Sequence, residues 1–452
     1  MRKIEFFDTS LRDGEQTPGV SFCISEKVTI AKQLEKWGIS VIEAGFPAAS
    51  PDSFEAVKQI ADSLNDTAVT ALARCVISDI DKAVEAVKGA KYPQIHVFIA
   101  TSPIHMKYKL KISPEEVLKN IDKCVKYARE RVEVVEFSPE DATRTELNFL
   151  LEAVQTAVDA GATYINIPDT VGYTTPEEYG KIFKFLIDNT KSEREIIFSP
   201  HCHDDLGMAV ANSLAAIKAG AGRVEGTVNG IGERAGNAAL EEIAVALHIR
   251  KDFYQAQSPL KLSETAATAE LISQFSGIAI PKNKAIVGAN AFAHESVIHQ
   301  DGVLKNAETY EIITPELVGI KHNSLPLGKL SGRHAFSEKL TELNIAYDDE
   351  SLAILFEKFK KLADKKKEIT DADIHALFTG ETVKNLAGFI LDNVQIDGHK
   401  ALVQLKNQEE EIYVSQGEGA GSVDAIFKAI DKVFNHQLKL ISYSVDAVTD
   451  GI

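Results

Sequence analysis

Basic charge, paired cysteines and long apolar runs are scarce in this chain, and each shortage closes off a class of function. Acidic residues number 66 against 49 basic ones, a formal charge of −17. That argues against a nucleic-acid binder, whose footprint is basic. It still allows a local basic patch for a small anionic substrate. The four cysteines (Cys23, Cys75, Cys124, Cys202) are widely spaced and form no C-x-x-C pair. Such spacing favours reduced, buried thiols in a cytoplasmic protein over a disulfide framework. No apolar run approaches the roughly 20 residues of a membrane span. Met1-Arg2-Lys3 leads straight into a strand-like run, so no signal peptide is expected. No glycine-rich fingerprint follows the first strand, which disfavours an open dinucleotide-binding sheet. What remains is 452 residues, 44% hydrophobic, enough for a large core and more than one domain.

Through about residue 250, β-rich apolar runs alternate with amphipathic ones. The expected strands are 4–8, 41–45, 69–75, 95–101, 132–138, 164–169, 196–201 and 224–229. The expected helices between them are 26–37, 53–64, 79–87, 114–129, 145–160, 176–189 and 208–219. Ser113-Pro114 and Thr175-Pro176, each with Glu at the third helical position, are capping boxes. Trp37-Gly38, Lys88-Gly89, Ala160-Gly161 and Ala219-Gly220 read as helix ends. Eight β-then-α units in this length make an α/β chain with a closed (β/α)8 barrel, assigned to residues 1–258. A mainly helical accessory region follows over 259–380, with helices expected at 262–275, 290–299 and 351–379. Lys358, Lys360, Lys361, Lys365, Lys366 and Lys367 form a solvated face there. Residues 381–452 read as an α+β piece: strands at 384–392, 400–406, 411–416 and 438–445 and a helix at 422–434.

The chemistry gathers at strand ends, where barrels keep their active sites. His201 and His203 are two apart in an extended run, so both imidazoles face one way and Cys202 faces the other. Alone, they could be strand-end histidines bonded to backbone. Asp13, just past the first strand, adds an acidic donor, and three donors from distant strands leave open positions for substrate and water. Asn237, in Gly230-Ile-Gly-Glu-Arg-Ala-Gly-Asn237, is a candidate fourth ligand. A nitrogen/oxygen set without thiolate suits Mn²⁺, Mg²⁺, Co²⁺ or Zn²⁺. Arg12 beside it can stabilise an oxyanion or fork onto a carboxylate, oriented by Glu43 and Gln16.

Three long motifs carry a resemblance. They are Leu11-Arg-Asp-Gly-Glu-Gln-Thr-Pro-Gly19, His201-Cys-His-Asp-Asp-Leu-Gly207 and Asn229-Gly-Ile-Gly-Glu-Arg-Ala-Gly-Asn237. Together they resemble the Claisen-condensing metalloenzymes that include the 2-isopropylmalate, homocitrate and citramalate synthases. The stretches 95–110 and 292–305 are similar to the bacterial 2-isopropylmalate branch. The resemblance implies condensation of acetyl-CoA with 3-methyl-2-oxobutanoate, then thioester hydrolysis. By motif, Asp13, His201, His203 and Asn237 serve the divalent metal, Mn²⁺ first among the four. Arg12 faces the keto oxygen. Gln16, Glu43, His96, Ser138, Glu140 and Thr170 serve the keto acid. Glu233, His299 and Tyr310 serve the acid–base steps. A homodimer is implied, with the region after 258 crossing onto the neighbouring barrel.

Relatives of this type end in a leucine-binding domain of two similar halves. Gly417-Glu-Gly-Ala-Gly-Ser-Val-Asp-Ala425 matches the first half and nothing matches the second, so a truncated regulatory domain that has lost leucine binding is expected. The alternatives are a different keto acid (pyruvate or 2-oxoglutarate), a related C–C lyase, or a non-catalytic metal-binding protein. The region after residue 300 speaks against a bare-barrel lyase.

Overall fold

The computed structural model describes residues 1–294, 296, 299, 302–303, 305–320, 327, 331–343, 345–364, 369–379, 389–407, 410–419 and 421–434. They divide into two compact units, 1–294 with 302–325, and 295–301 with 326–452.

The first unit is a closed barrel of eight strands. They are β1 (Glu5–Asp8), β2 (Val41–Glu43), β3 (Ala68–Arg74), β4 (Pro93–Ala100), β5 (Val134–Glu140), β6 (Tyr164–Asp169), β7 (Ile197–Cys202) and β8 (Arg223–Gly226). Every neighbouring pair is parallel, and β8 closes on β1 with Glu5 opposite Arg223. Parallel strands need crossovers. These are α1 (Ile24–Trp37), α2 (Pro51–Ser63), α3 (Ile77–Val87), α4 (Pro114–Arg129), α5 (Leu147–Ala160), α6 (Pro176–Asn189) and α7 (Ala209–Ala219), with α8 (Leu240–Ile249) after the last strand. Both expected capping boxes form. Gly38, Gly161 and Gly220 end their helices, whereas α3 is capped by Lys88 in a right-handed conformation and not by Gly89. A ninth helix, α9 (Thr265–Ser276), packs on α1, where Trp37 Nε1 donates to Thr265 Oγ1 at 3.1 Å.

The apolar core lies between the strands and their helices: Ile30, Leu34, Val57, Ile80, Val125, Phe137, Phe183 and Ile217 are fully or almost fully buried there. Inside the barrel the filling is different. Barrels are commonly packed with branched aliphatic residues. Here Arg223, Glu136, Glu225, Asn166 and Ser199 are buried at inward positions, and an apolar trio of Phe7, Val41 and Ala68 forms a separate cluster.

In the second unit, α10 (Arg333–Glu342), α11 (Asp349–Ala363) and α12 (Asp371–Thr379) enclose a core of Phe336, Leu340, Leu355, Phe359 and Ile374. Sequence reading did not anticipate α10. Lys358 and Lys361 are exposed as expected, and Lys360 is half-buried; Lys365, Lys366 and Lys367 lie outside the described residues. An antiparallel sheet follows: β9 (Phe389–Asp397), β10 (Lys400–Asn407) and β11 (Ile412–Glu418). Helix α13 (Ser422–Phe434) covers one face through Ala429 against Val403 and Leu405. The described part of the first of these strands starts five residues later than its expected position at 384. Residues 384–388 and the expected strand at 438–445 lie outside the described residues. The expected helix at 290–299 is not seen over 290–294, which form turns and irregular backbone.

Candidate metal centre

The centre is assembled from the loops that follow β1 and β8 and from the C-terminal end of β7. After β1 the chain turns tightly: Arg12 and Gly14 both donate their backbone N–H to Thr9 O at 3.1 Å, and Gly14–Gln16 form a 3₁₀ turn. A side chain at Gly14 would meet Ile231 Cδ1 at 2.9 Å, so glycine there lets the first loop lie against the last. That contact sets Asp13 beside Asn237, whose Nδ2 donates to Asp13 Oδ1 at 2.7 Å and to Ile231 O at 3.1 Å.

β7 delivers the histidines as alternation requires. His201 Nε2 and His203 Nε2 face each other at 3.4 Å, and each lies 3.9 Å from Asp13 Oδ2. Donors at those separations share a point about 2.2 Å from each, the length of a metal–ligand bond. Among the described residues this is the one cluster of three such groups that could hold a metal ion. Asn237 Oδ1 and the Nδ1 atoms of both histidines are buried with no hydrogen-bond partner. Facing imidazole nitrogens beside Asp13, with an orphaned amide oxygen on the Asn237 that bonds Asp13, fit a cation, which would leave the facing nitrogens unprotonated. Burial depresses both imidazoles to about 4, so they are neutral, ligand-ready groups at physiological pH. Cys202 points away from the site, as expected, and burial pushes its thiol up to about 12.

Arg12 is bound on two sides. Its Nε donates to Glu43 Oε2 at 2.7 Å and its Nη1 to Asp13 Oδ2 at 2.6 Å. Burial works against its charge, but Glu43 and Asp13 hold the guanidinium firmly protonated. Burial would likewise raise both carboxyls; Arg12 outweighs it, holding Asp13 near 2 and Glu43 well below the carboxylate range. Glu43 also accepts from Thr9 Oγ1 at 2.7 Å, and its other oxygen lies 2.7 Å from His96 Nδ1. His96 Nε2 lies 2.5 Å from Ser138 Oγ. One hydrogen-bonded line thus runs from Asp13 through Arg12, Glu43 and His96 to Ser138.

These groups border a cavity of about 280 Å³ lined by Arg12, Asp13, Gln16, His96, Ser138, Glu140, Thr170, His201, His203 and Glu233 from the expected set. Glu43 stands behind Arg12, and Asn237 behind Asp13. Tyr310 is exposed beside Gly302 in the first unit, and His299 is exposed in the second; neither is in that lining. Sequence reading missed Leu72, Phe98, Lys109, Asn166, Pro168 and Arg234, which also line the cavity. Alternation could have found Phe98 two after His96, and Pro168 two after Asn166. Lys109 and Arg234 are placed by loop geometry: Lys109 bonds Glu140 at 2.5 Å and Arg234 bonds Asp205 at 2.8 Å.

Comparison with known proteins agrees with this architecture. The HMGL-like family model matches residues 3–272, the homocitrate synthase post-HMGL domain-like model residues 286–367, and the LeuA allosteric (dimerisation) domain model residues 368–452. An HMG-CoA lyase structure from Bacillus subtilis aligns with a TM-score of 0.53 at 22% identity, over 62% of this chain and 96% of that one. At that identity the likeness concerns the fold. A 2-isopropylmalate synthase of Lactococcus lactis subsp. lactis is 98% identical over all of this chain and 88% of its own length. That of Streptococcus gallolyticus is 70% identical, over all of this chain and 88% of its own length. That of Staphylococcus carnosus is 57% identical, over all of this chain and 89% of its own length. The comparisons do not support the expected truncation of the regulatory domain: the LeuA allosteric (dimerisation) domain model matches residues 368–452, and the chain matches 88–89% of the length of these relatives. HMGL-like enzymes use a divalent metal, and three donors that could hold one, Asp13 after β1 with His201 and His203 at the end of β7, converge here; with a relative 98% identical over all 452 residues of this chain, the chain belongs to the 2-isopropylmalate synthases.

Proposed function

We propose that the chain condenses acetyl-CoA with 3-methyl-2-oxobutanoate and water to give 2-isopropylmalate and CoA, with its residues in the following roles. The observation that carries this is the convergence of Asp13, His201 and His203 in a cavity that Arg12, bonded to Asp13, and apolar Leu72 and Phe98 also line. Asp13, His201, His203 and Asn237 hold the divalent ion; the nitrogen/oxygen donor set suits Mn²⁺, Mg²⁺, Co²⁺ or Zn²⁺ alike, and the family resemblance puts Mn²⁺ first. When bound, the ion supplies Lewis acidity toward the 2-oxo group. Arg12, fixed by Glu43, offers its remaining guanidinium N–H groups to the alkoxide that develops during attack. Gln16, His96, Ser138, Glu140 and Thr170 orient the keto acid, and Leu72 and Phe98 suit its isopropyl group. A base must remove a proton from the acetyl methyl group. Glu233, His299 and Tyr310 are assigned to that step and to proton return, with His299 and Tyr310 delivered from beyond the barrel proper.

The chain is read as a barrel over 1–258, an accessory region over 259–380 and a regulatory domain over 381–452. That last domain is assigned to pairing two copies in a cytoplasmic homodimer. No described helix is long and apolar enough to cross a membrane. The test is thiol release from acetyl-CoA with each keto acid offered in turn. 3-Methyl-2-oxobutanoate should give the highest kcat/KM; a preference for pyruvate or 2-oxoglutarate would move the chain to the citramalate or homocitrate reaction.

A further inference from the structure

The barrel axis beneath the metal cluster is filled with buried ionisable side chains that no step of the reaction uses. Arg223 is fully buried. It donates to Glu5 Oε2 at 2.7 Å and to Glu136 Oε2 at 3.0 Å, and its guanidinium carbon stands 3.5 Å from the Tyr164 ring centre. Two residues along the same strand, on the same inward face, is Glu225, also fully buried. Glu225 Oε2 accepts from Asn166 Nδ2 at 2.5 Å and lies 3.3 Å from His201 Nδ1. The backbone sets this contact, because His201 on β7 pairs directly with Glu225 on β8.

Burying carboxyl groups and a guanidinium is costly, and an apolar layer of similar volume is often as stable or more so. The usual aliphatic filling of barrels shows that such a layer is available. What an apolar layer lacks is an acceptor for His201 Nδ1. An imidazole can present a bare Nε2 to a cation only if its proton sits on Nδ1, and that proton, buried, needs a partner. Of the two cluster histidines, only His201 has a carboxyl oxygen near its Nδ1, at 3.3 Å and not yet in hydrogen-bonding geometry.

We propose that Glu225 is a positioning residue for the metal centre: it accepts the Nδ1–H of His201, fixing the ring's tautomer and rotation so that Nε2 faces Asp13 and His203, while Asn166 holds the carboxylate in place. Glu225 touches neither substrate nor ion and acts through His201. This inference rests on the assignment of Asp13, His201 and His203 to a metal.

Two readouts separate the inference from that assignment. In the metal-free chain, ¹⁵N-imidazole NMR, with the His201 signal identified by its loss in His201→Gln, reports which ring nitrogen carries the proton. Binding of Mn²⁺ alone, followed by the loss of its free-ion EPR signal, reports affinity without turnover. Wild-type His201 should be the Nδ1–H tautomer. Glu225→Leu should mix the tautomers and weaken Mn²⁺ about 10- to 100-fold, the range for losing such an outer partner. Glu225→Gln, which still offers an acceptor oxygen, should restore the tautomer and most of the affinity. Asn166→Ala, a milder change, should weaken Mn²⁺ several-fold and serves if Glu225→Leu fails to fold by circular dichroism. An Nε2–H tautomer in the wild type, or wild-type Mn²⁺ affinity in both Glu225→Leu and Asn166→Ala, would overturn the inference. A wild-type chain with the Nδ1–H tautomer that binds no Mn²⁺ would instead overturn the metal assignment and leave the Glu225–His201 contact standing.

Discussion

Arg12 shows how much one side chain's geometry matters here, since its Nε and Nη1 are engaged at once by Glu43 and Asp13. Lysine keeps the charge but cannot span both carboxylates and still face a substrate. Arg12→Lys should lower kcat roughly 10²-fold, the cost typical of losing an oxyanion donor, with a smaller change in KM for the keto acid. A rise in KM alone, in steady-state kinetics, would assign Arg12 to ground-state binding. The histidines make a second case. Their folded values sit near 4 because burial disfavours the imidazolium, against an ordinary 6.5. Between those values the unfolded chain binds protons that the folded chain does not, so stability rises with pH across that window and falls as pH drops from 6.5 to 4. The loss should be on the order of 3 kcal/mol per ring. Denaturant midpoints in chelator at pH 4.5, 5.5 and 6.5 should fall steeply for the wild type and less for His201→Gln/His203→Gln; equal slopes would refute the burial account. Much of this site was legible in the chain: the i, i+2 histidine spacing and the Arg12-Asp13 pair point to it directly. Glu43 was read both as orienting Arg12 and as serving the keto acid; it is absent from the cavity lining, and the reach of its two oxygens to Arg12 and His96 depends on three strands meeting.

At the level of elements, the loop 230–237 after β8 decides whether Asn237 reaches Asp13. Gly236 has φ +94, and a Cβ there would overlap the Gly230 carbonyl oxygen. Gly19 has a similar φ of +89 with nothing within 4 Å of the same position. Alanine at either site carries the left-handed strain of about 1–2 kcal/mol, but only Gly236→Ala also displaces the loop. Thermal melts should therefore show a small loss for Gly19→Ala and a larger one for Gly236→Ala, and only Gly236→Ala should weaken Mn²⁺. Equal effects on Mn²⁺ would mean that this loop does not govern the centre. The barrel helices were readable because their boundaries are written locally, as in Ser113-Pro114 and Thr175-Pro176. The segment 290–294 was not: its apolar residues suggested a helix, yet Phe292 is buried against Val245 and Val318, so tertiary packing overrode a weak local preference.

For the whole molecule, the two units have separate hydrophobic cores, and all the proposed metal ligands lie in the first. A ligand stabilises the unit that binds it by mass action. Saturating Mn²⁺ should therefore slow hydrogen exchange in peptides covering 8–16, 197–207 and 226–240, and leave 331–343 and 400–407 unchanged. Uniform protection of both units would show that they unfold as one. The division between what the chain alone determined and what folding decided follows from range. Eight alternating β and α patterns, two capping boxes, the histidine spacing and three long motifs are local, and they determined the barrel, the location of its site and the family. The interior ionic layer, the contact of Glu225 with His201, and the apolar wall of Leu72 and Phe98 belong to residues far apart in the chain. Only strand register and barrel closure bring such residues within hydrogen-bonding or van der Waals distance, and no local pattern records that register.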